Sequence, residues 1–114
     1  DLAKRGGVTD ETAAAFFPLV SAMTQSFEQR RVLMAVLASP QPLSEGVVTG
    51  LLKTAASIDS SYERAELLVA VVRKQTLSPA ARSLYLAAAD TIRSEHEQTR
   101  VFAALVRSER AARK

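Results

Sequence analysis

The sequence contains no cysteine and no tryptophan, and it has only four glycines, four prolines and one histidine among 114 residues. The absence of cysteine excludes disulfides and thiolate chemistry, and it leaves the redox compartment open. No apolar run approaches the roughly 20 residues that a membrane-spanning helix needs, so a membrane would be reached only through regions outside this chain. Aromatic residues make up 5% of the chain and hydrophobic residues 47%. The core is therefore expected to consist of leucine, valine and alanine.

The charge is small and unevenly distributed. The net charge is +3; residues 1–76 contain eight basic and eight acidic side chains, and residues 77–114 contain seven and four. The excess of positive charge in the last third is what lysine and arginine near a helix C-terminus would produce. A nucleic-acid-binding surface would need a longer basic stripe with aromatic residues beside it, so nucleic acid is not the expected partner.

One segment recurs three times along the chain. The copies begin at Gln25, Ser60 and Ser94, so they are 35 and 34 residues apart. Each copy has a ring at its third position and a nearly continuous apolar run after it; the rings are Phe27, Tyr62 and His96. A fixed period of this length is typical of stacked two-helix units. A helix that is apolar on most sides is expected to lie between neighbours.

Helix start signals divide the chain in the same way. Ser60 with Glu63, and Ser94 with Glu97, have the spacing of a capping box. In the first copy Gln25 occupies the capping position, and Thr24 or Ser26 is expected to replace it. Between the copies, further helices begin at the N-cap residues Thr9, Ser44 and Ser78. The predicted helices span residues 9–23, 26–38, 44–57, 60–74, 79–93 and 95–110.

The apolar positions predict the interior of the molecule. No run of residues alternates in the way a strand requires, so the predicted fold class is all-α. Pro18 lies inside the first helix and is expected to kink it, and the ring of His96 is expected to be packed. The residues predicted to be buried are Leu33, Val36, Leu68, Val71, Phe102 and Leu105.

The units resemble HEAT repeats. The second helix of each unit carries the resemblance, through Asp59, Tyr62, Arg64, Ala65 and Ala70, and Phe17-Pro18-Leu19 is similar to the proline-containing first helix of such repeats. The resemblance implies a right-handed α-solenoid of three two-helix repeats, at residues 8–42, 43–76 and 77–110, within a single domain of residues 1–114. Leu2 and Ala3 align with Leu37 and Ala38, which predicts that the chain begins inside a repeat of a longer solenoid.

The segment Ser60-Ser61-Tyr62-Glu63-Arg64 with its downstream leucine and alanine run is also similar to repeats in some bacterial membrane-anchored or secreted proteins. These include the extracytoplasmic tails of antirepressor-type metallopeptidases. The resemblance implies an extracytoplasmic bacterial location. It does not identify a partner, because solenoids serve many unrelated functions.

No catalytic, cofactor-binding or metal-ligating residues are predicted. His96-Glu97 begins like the zinc-binding pattern His-Glu-x-x-His, but Arg100 occupies the second ligand position, and the metal needs two imidazoles on one helix face. Neighbouring carboxylates such as Glu95 and Glu97 stand at helix starts, where the helix dipole favours them. The chain is therefore expected not to be an enzyme and to act on no small-molecule substrate.

Equivalent positions of the repeats carry charges of alternating sign. Arg31, Glu66 and Arg100 are equivalent, and so are Gln29, Arg64 and Gln98. The favoured interpretation is a ladder of ion pairs between repeats, with Arg31–Glu66 and Glu66–Arg100 contacts, each worth at most about 1 kcal/mol. The second interpretation is a polar strip that binds a partner. The candidate partner-binding residues are Arg31, Arg64, Glu66 and Arg100.

The predicted function is that of a non-catalytic scaffold that binds a protein or peptide. One alternative is a structural spacer or sensor arm of a larger membrane-anchored protein. Another is a nucleic-acid-binding protein of the HEAT-like DNA glycosylase type. The lack of tryptophan and the neutral first two thirds of the chain argue against this last alternative.

Overall fold

A computed structural model describes residues 10–112, and side chains from residue 12 onward. This part of the chain is entirely helical and has no strand. The helices are α1 Asp10–Ser21, α2 Ser26–Leu37, α3 Glu45–Ala55, α4 Ser61–Lys74, α5 Pro79–Asp90 and α6 Glu95–Ala112. Their bounds differ from the predicted ones by at most three residues. The all-α prediction is confirmed. The predictions for Leu2, Ala3 and the Thr9 cap lie outside the described residues.

The helices lie in two rows. Helix α3 packs against α1 and α5, and helix α4 packs against α2 and α6, while consecutive helices make fewer contacts with each other. The molecule is a slab of 34 × 33 × 20 Å. Helix α4 is therefore covered on both sides, which agrees with its nearly continuous apolar sequence. The outer faces of α2, α4 and α6 form one broad side of the slab.

The core lies between the two rows and contains mostly aliphatic side chains. Five of the six predicted core residues are buried, and Phe102 is not: 36% of its surface is exposed. Leu68, at the equivalent position of α4, is fully buried because α6 lies beside it. In the described chain no helix of the same row covers the far side of α6. The largest fully buried side chains are Tyr85, Leu33, Leu51, Leu52, Ile58, Leu67, Leu68, Val36, Val47, Val71 and Val101.

Serine side chains begin four of the helices as predicted. The hydroxyl of Ser60 accepts a hydrogen bond from the Glu63 amide at 3.2 Å, and Ser94 accepts one from Glu97 at 3.2 Å. Ser44 and Ser78 cap α3 and α5 in the same way. The reciprocal half of the capping box was predicted wrongly, because the amide of Ser60 donates to the Ser26 hydroxyl instead. Ser26 thus joins two helices and does not cap its own.

The first unit departs from the other two. Gln25 is the N-cap of α2, but its side chain makes no capping hydrogen bond. Helix α1 continues through Pro18 to Ser21. Gly50 of α3 faces the ring of Phe17 so closely that a Cβ there would lie 2.6 Å from two ring atoms. The glycine is therefore required for the close approach of α1 and α3.

Candidate interaction surface

Exposed aromatic rings and arginines meet on the outer side of α2, α4 and α6. The first turns of α2 and α4 place Phe27 and Tyr62 there, with 51% and 52% of their surfaces exposed. The guanidinium carbon of Arg30 lies 5.3 Å from the centre of the Phe27 ring, and that of Arg100 lies 5.8 Å from the centre of the Tyr62 ring. Each ring therefore has an arginine over its face.

Glutamates connect these arginines to the neighbouring helix. Arg30 donates a hydrogen bond to Glu63, which joins α2 to α4. Arg100 donates from Nη1 to Glu66 at 2.8 Å and from Nε to Glu97 at 2.9 Å, which joins α6 to α4. We call this set of side chains the arginine–aromatic surface; it consists of Phe27, Arg30, Tyr62, Glu63, Glu66, Glu97 and Arg100.

Glu66 is the central acceptor of the surface. It accepts hydrogen bonds from Arg100 and, at 3.1 Å, from the Tyr62 hydroxyl. The hydrogen bond from Arg100 lowers the pKa of the Glu66 carboxyl more than partial burial raises it, and the bond from Tyr62 lowers that pKa further. Glu66 thus remains a carboxylate that holds Arg100 and Tyr62 in fixed positions. The Nη2 atom of Arg100 is buried without a hydrogen-bond partner in the described chain.

The structure confirms one predicted rung of the ladder and contradicts the other. Glu66 and Arg100 form the expected ion pair. Arg31 does not reach Glu66; its nearest carboxylate is that of Glu28, 4.0 Å away in the same helix, and its side chain is 70% exposed. Arg30, one residue earlier, makes the connection between α2 and α4 instead. The side chain of residue 30 therefore points toward α4, and that of residue 31 points toward solvent.

Arg64 does not lie on a surface strip, and its predicted placement there is wrong. Only 7% of the residue is exposed. Its guanidinium donates to the carbonyl of Ile58 at 2.9 Å, to the carbonyl of Ala88 at 3.0 Å and to the hydroxyl of Thr91. Burial lowers the pKa of Arg64 from its ordinary value. The side chain connects α4 to the end of α5 inside the molecule.

The glutamines equivalent to Arg64 have related positions. Gln29 is 2% exposed and donates to the carbonyl of Val20 at 3.1 Å, near the end of α1. Gln98 donates to the carbonyls of Ala89 and Asp90 at the end of α5. The equivalence of these three positions was visible in the sequence, but its purpose was not. The side chains of Gln29, Arg64 and Gln98 each donate a hydrogen bond to a carbonyl near the C-terminus of a helix. The last carbonyls of a helix lack partners within the helix.

The ring series also needs a correction. His96 was expected to be packed, but it is exposed in the first turn of α6. Phe27 and Tyr62 occupy the equivalent positions and are half exposed. The ring position therefore faces outward in every unit.

Two grooves flank the C-terminal half of α4, and the candidate site residues did not include the cationic side chains that line them. The groove between α2 and α4 encloses about 440 Å³, and the groove between α4 and α6 encloses about 550 Å³. Arg73 and Lys74 line both grooves, and Arg107 lines the second. The equivalence of positions 73 and 107 was a sequence signal for this pair of arginines.

Residues 12–112 bring together no group of three or more histidine, cysteine, aspartate or glutamate side chains that could hold a metal ion. Within the described helices none is long and apolar enough to cross a membrane. No protein-family model, curated protein or solved structure matches the chain.

Proposed function

We propose that this chain is a non-catalytic module that binds a protein or peptide through the outer side of α2, α4 and α6. The observation that carries the proposal is the pair of half-exposed rings, Phe27 and Tyr62, each covered by an arginine. Aromatic residues and arginine are enriched at protein interfaces and dominate their binding energy. The ion pairs of Glu63 and Glu66 hold these side chains in place before a partner arrives, which reduces the entropy lost on binding.

The proposal includes the repeat architecture. In it, the helices form three HEAT-like repeats of a right-handed α-solenoid, at residues 8–42, 43–76 and 77–110. The two-row packing supports this architecture. A recurring hydrogen bond supports it too: the amide of Ser60 donates to the hydroxyl of Ser26, and the amide of Ser94 donates to the hydroxyl of Ser61. Such repetition gives every unit the same outward-facing ring position.

A cross-linking and affinity-capture experiment tests the proposed surface. The chain is used as bait in lysate of its native host, together with the double variant Phe27→Ala/Tyr62→Ala. The control is Leu19→Ala/Phe102→Ala, which also removes two exposed apolar side chains but lies outside the arginine–aromatic surface. We expect the control to recover the same proteins as the native chain. The double variant should recover at least about tenfold less, because loss of an interface hot spot costs about 2 kcal/mol or more.

The cross-linked residues complete the test. Cross-links from captured proteins should map to α2, α4 and α6, and circular dichroism should show that both variants remain helical. Equal recovery by all three baits would contradict the proposed surface. Recovery of nothing by the native chain would favour the alternative of a structural spacer.

A further inference from the structure

The two grooves beside α4 share a chemical character. The groove between α2 and α4 has an apolar floor made by Met34, Leu37, Val69 and Ala70. The groove between α4 and α6 continues from it on the other side of Arg73 and Lys74. Both grooves are open to solvent. The two grooves share Arg73 and Lys74 as lining residues, and apolar side chains also line each of them. We call the two grooves together the channel, and we call the cationic lining residues its rim.

The cations at the rim are not neutralised by the described part of the chain. Arg73 and Arg107 are exposed, and neither has an ion-pair partner among residues 12–112. Lys74 donates to a backbone carbonyl, that of Ser39, at 2.6 Å. A carbonyl is neutral, so the ammonium keeps its full charge. Three positive charges thus lie near the C-terminal end of α4: Arg73 and Lys74 on α4 itself, and Arg107 on α6.

Few carboxylates line the two grooves. No aspartate or glutamate lines the groove between α4 and α6. Glu66 is the one carboxylate at the other groove, and Arg100 and Tyr62 already occupy it. The positive potential of the grooves is therefore not balanced by free carboxylates in their lining. Complementary potentials select partners at interfaces.

We infer that this channel binds an acidic peptide segment whose apolar side chains enter the grooves while its carboxylates pair with Arg73, Lys74 and Arg107. The inference rests on the proposed function and specifies its partner class. An apolar floor with a charged rim is how an amphipathic helix is held in a groove. Arginine is suited to the contact because its planar fork binds a carboxylate with two hydrogen bonds.

The test uses three fluorescein-labelled amphipathic peptides with one shared apolar pattern. Their polar positions are all glutamate, all glutamine or all lysine. A labelled single-stranded oligonucleotide serves as a second polyanion. Binding is followed by fluorescence anisotropy at low and high salt. The glutamate peptide should bind most tightly, and its affinity should fall with salt because screening weakens exposed charge pairs.

The decisive variant is Arg73→Glu/Arg107→Glu. The control Lys53→Glu/Arg93→Glu makes the same change in net charge at exposed positions outside the channel. We expect the first variant to bind the glutamate peptide at least about tenfold more weakly, because like charges would then face each other, and the control to change affinity by less than about threefold. Should the first variant not fold, Arg73→Gln/Arg107→Gln replaces it with the same direction expected.

The results separate two claims: that the channel binds an acidic peptide, and that the chain binds a protein or peptide at all. If the glutamate peptide binds both variants alike, or if the lysine peptide binds best, the channel assignment is overturned while peptide binding stands. Binding of the oligonucleotide alone would overturn the assignment and the proposed function together. If no probe binds, the acidic-peptide inference is overturned, and the capture experiment with Phe27 and Tyr62 decides the proposed function independently.

Discussion

At the scale of single residues, Arg64 has the most demanding environment. It is the only charged side chain that is buried among residues 12–112, and it satisfies the carbonyls of Ile58 and Ala88. A buried guanidinium is tolerated only when its donors have acceptors, and the acceptors in turn lose their partners if it is removed. Its role is therefore structural, and mutation should affect folding before it affects binding.

Arg64→Met should lower the free energy of unfolding by about 1–3 kcal/mol, because the buried carbonyl of Ile58 would lose its donor and that of Ala88 would keep only the Thr91 hydroxyl. Arg64→Gln should cost less, since glutamine already supplies such donors at positions 29 and 98. Urea denaturation measures both. Arg31→Met is the matched control, and its effect should stay within about 0.5 kcal/mol because Arg31 is exposed. If Arg64→Met is as stable as the native chain, the assigned role is wrong.

Glu66 predicts a pH dependence of stability. The hydrogen bond from Arg100 lowers the pKa of Glu66 in the folded chain, so the unfolded chain takes up the proton first as the pH falls. The stabilising contribution is fully present above the unfolded pKa of about 4.3 and is lost as the pH falls through the lower folded pKa. Glu66→Gln should therefore flatten the pH dependence below about pH 5, as seen in thermal melts between pH 2 and 7. Glu28→Gln is the control. If the melting temperature of Glu66→Gln falls at low pH as steeply as that of the native chain, the contact between Glu66 and Arg100 is not formed in solution.

Residue types were easier to interpret than side-chain directions. The sequence equivalence of positions 31, 66 and 100 correctly indicated an ion pair between Glu66 and Arg100. It could not show that α2 is rotated so that Arg30, and not Arg31, faces α4. It also could not show that Arg64 is buried, because a long cationic side chain can either extend into solvent or turn inward to meet helix carbonyls. That choice depends on where α5 ends.

At the scale of helices, the contact between α1 and α3 depends on Gly50. Alanine is normally favoured over glycine inside a helix by about 1 kcal/mol. At this position a Cβ would lie 2.6 Å from two atoms of the Phe17 ring, and that ring is buried. The helices would have to move apart or the ring would have to leave its site, and either change disturbs the core.

Gly50→Ala should therefore destabilise the protein by about 1–3 kcal/mol, as overpacking does. Gly46→Ala, on the exposed part of the same helix, should be neutral or stabilising. Thermal denaturation compares the two variants. The double variant Phe17→Leu/Gly50→Ala adds a specific check: its loss should be smaller than the sum of the two single losses, because the smaller side chain makes room. Full additivity would mean that the two residues do not interact.

Helix boundaries could be predicted well because they depend on local chemistry. Serine caps at residues 44, 60, 78 and 94, and proline at the start of α5, fix where helices begin. Burial could be predicted for positions that face the core between the rows, such as Leu33 and Leu105, but not for a position that needs a neighbouring helix of its own row. Leu68 and Phe102 share an equivalent position and an apolar character, yet only Leu68 is fully buried. The difference comes from the number of neighbouring helices, which no local pattern contains.

At the scale of the whole molecule, the two-row packing predicts a gradient of local stability. Helices α3 and α4 each have a helix of their own row on both sides, whereas α1, α2, α5 and α6 have one on a single side in the described chain. Stability in an array of this kind is close to a sum of unit and neighbour terms. Local opening is least costly where fewest neighbours are lost. The centre should therefore open last.

Hydrogen exchange followed by mass spectrometry measures this gradient. Amides of α3 and α4 should exchange slowest, and those of α1 and of the last turns of α6 should exchange fastest. Leu68→Ala removes a fully buried side chain of α4 and should cost about 2–5 kcal/mol. It should speed exchange most in α2, α4 and α6, because α4 supports both neighbours in its row. Phe102→Ala should act mainly on α6, where the ring is partly exposed. Uniform protection across the six helices, unchanged in pattern by either substitution, would show that the molecule opens as one cooperative unit. In that case neighbour contacts along the rows would not control its stability.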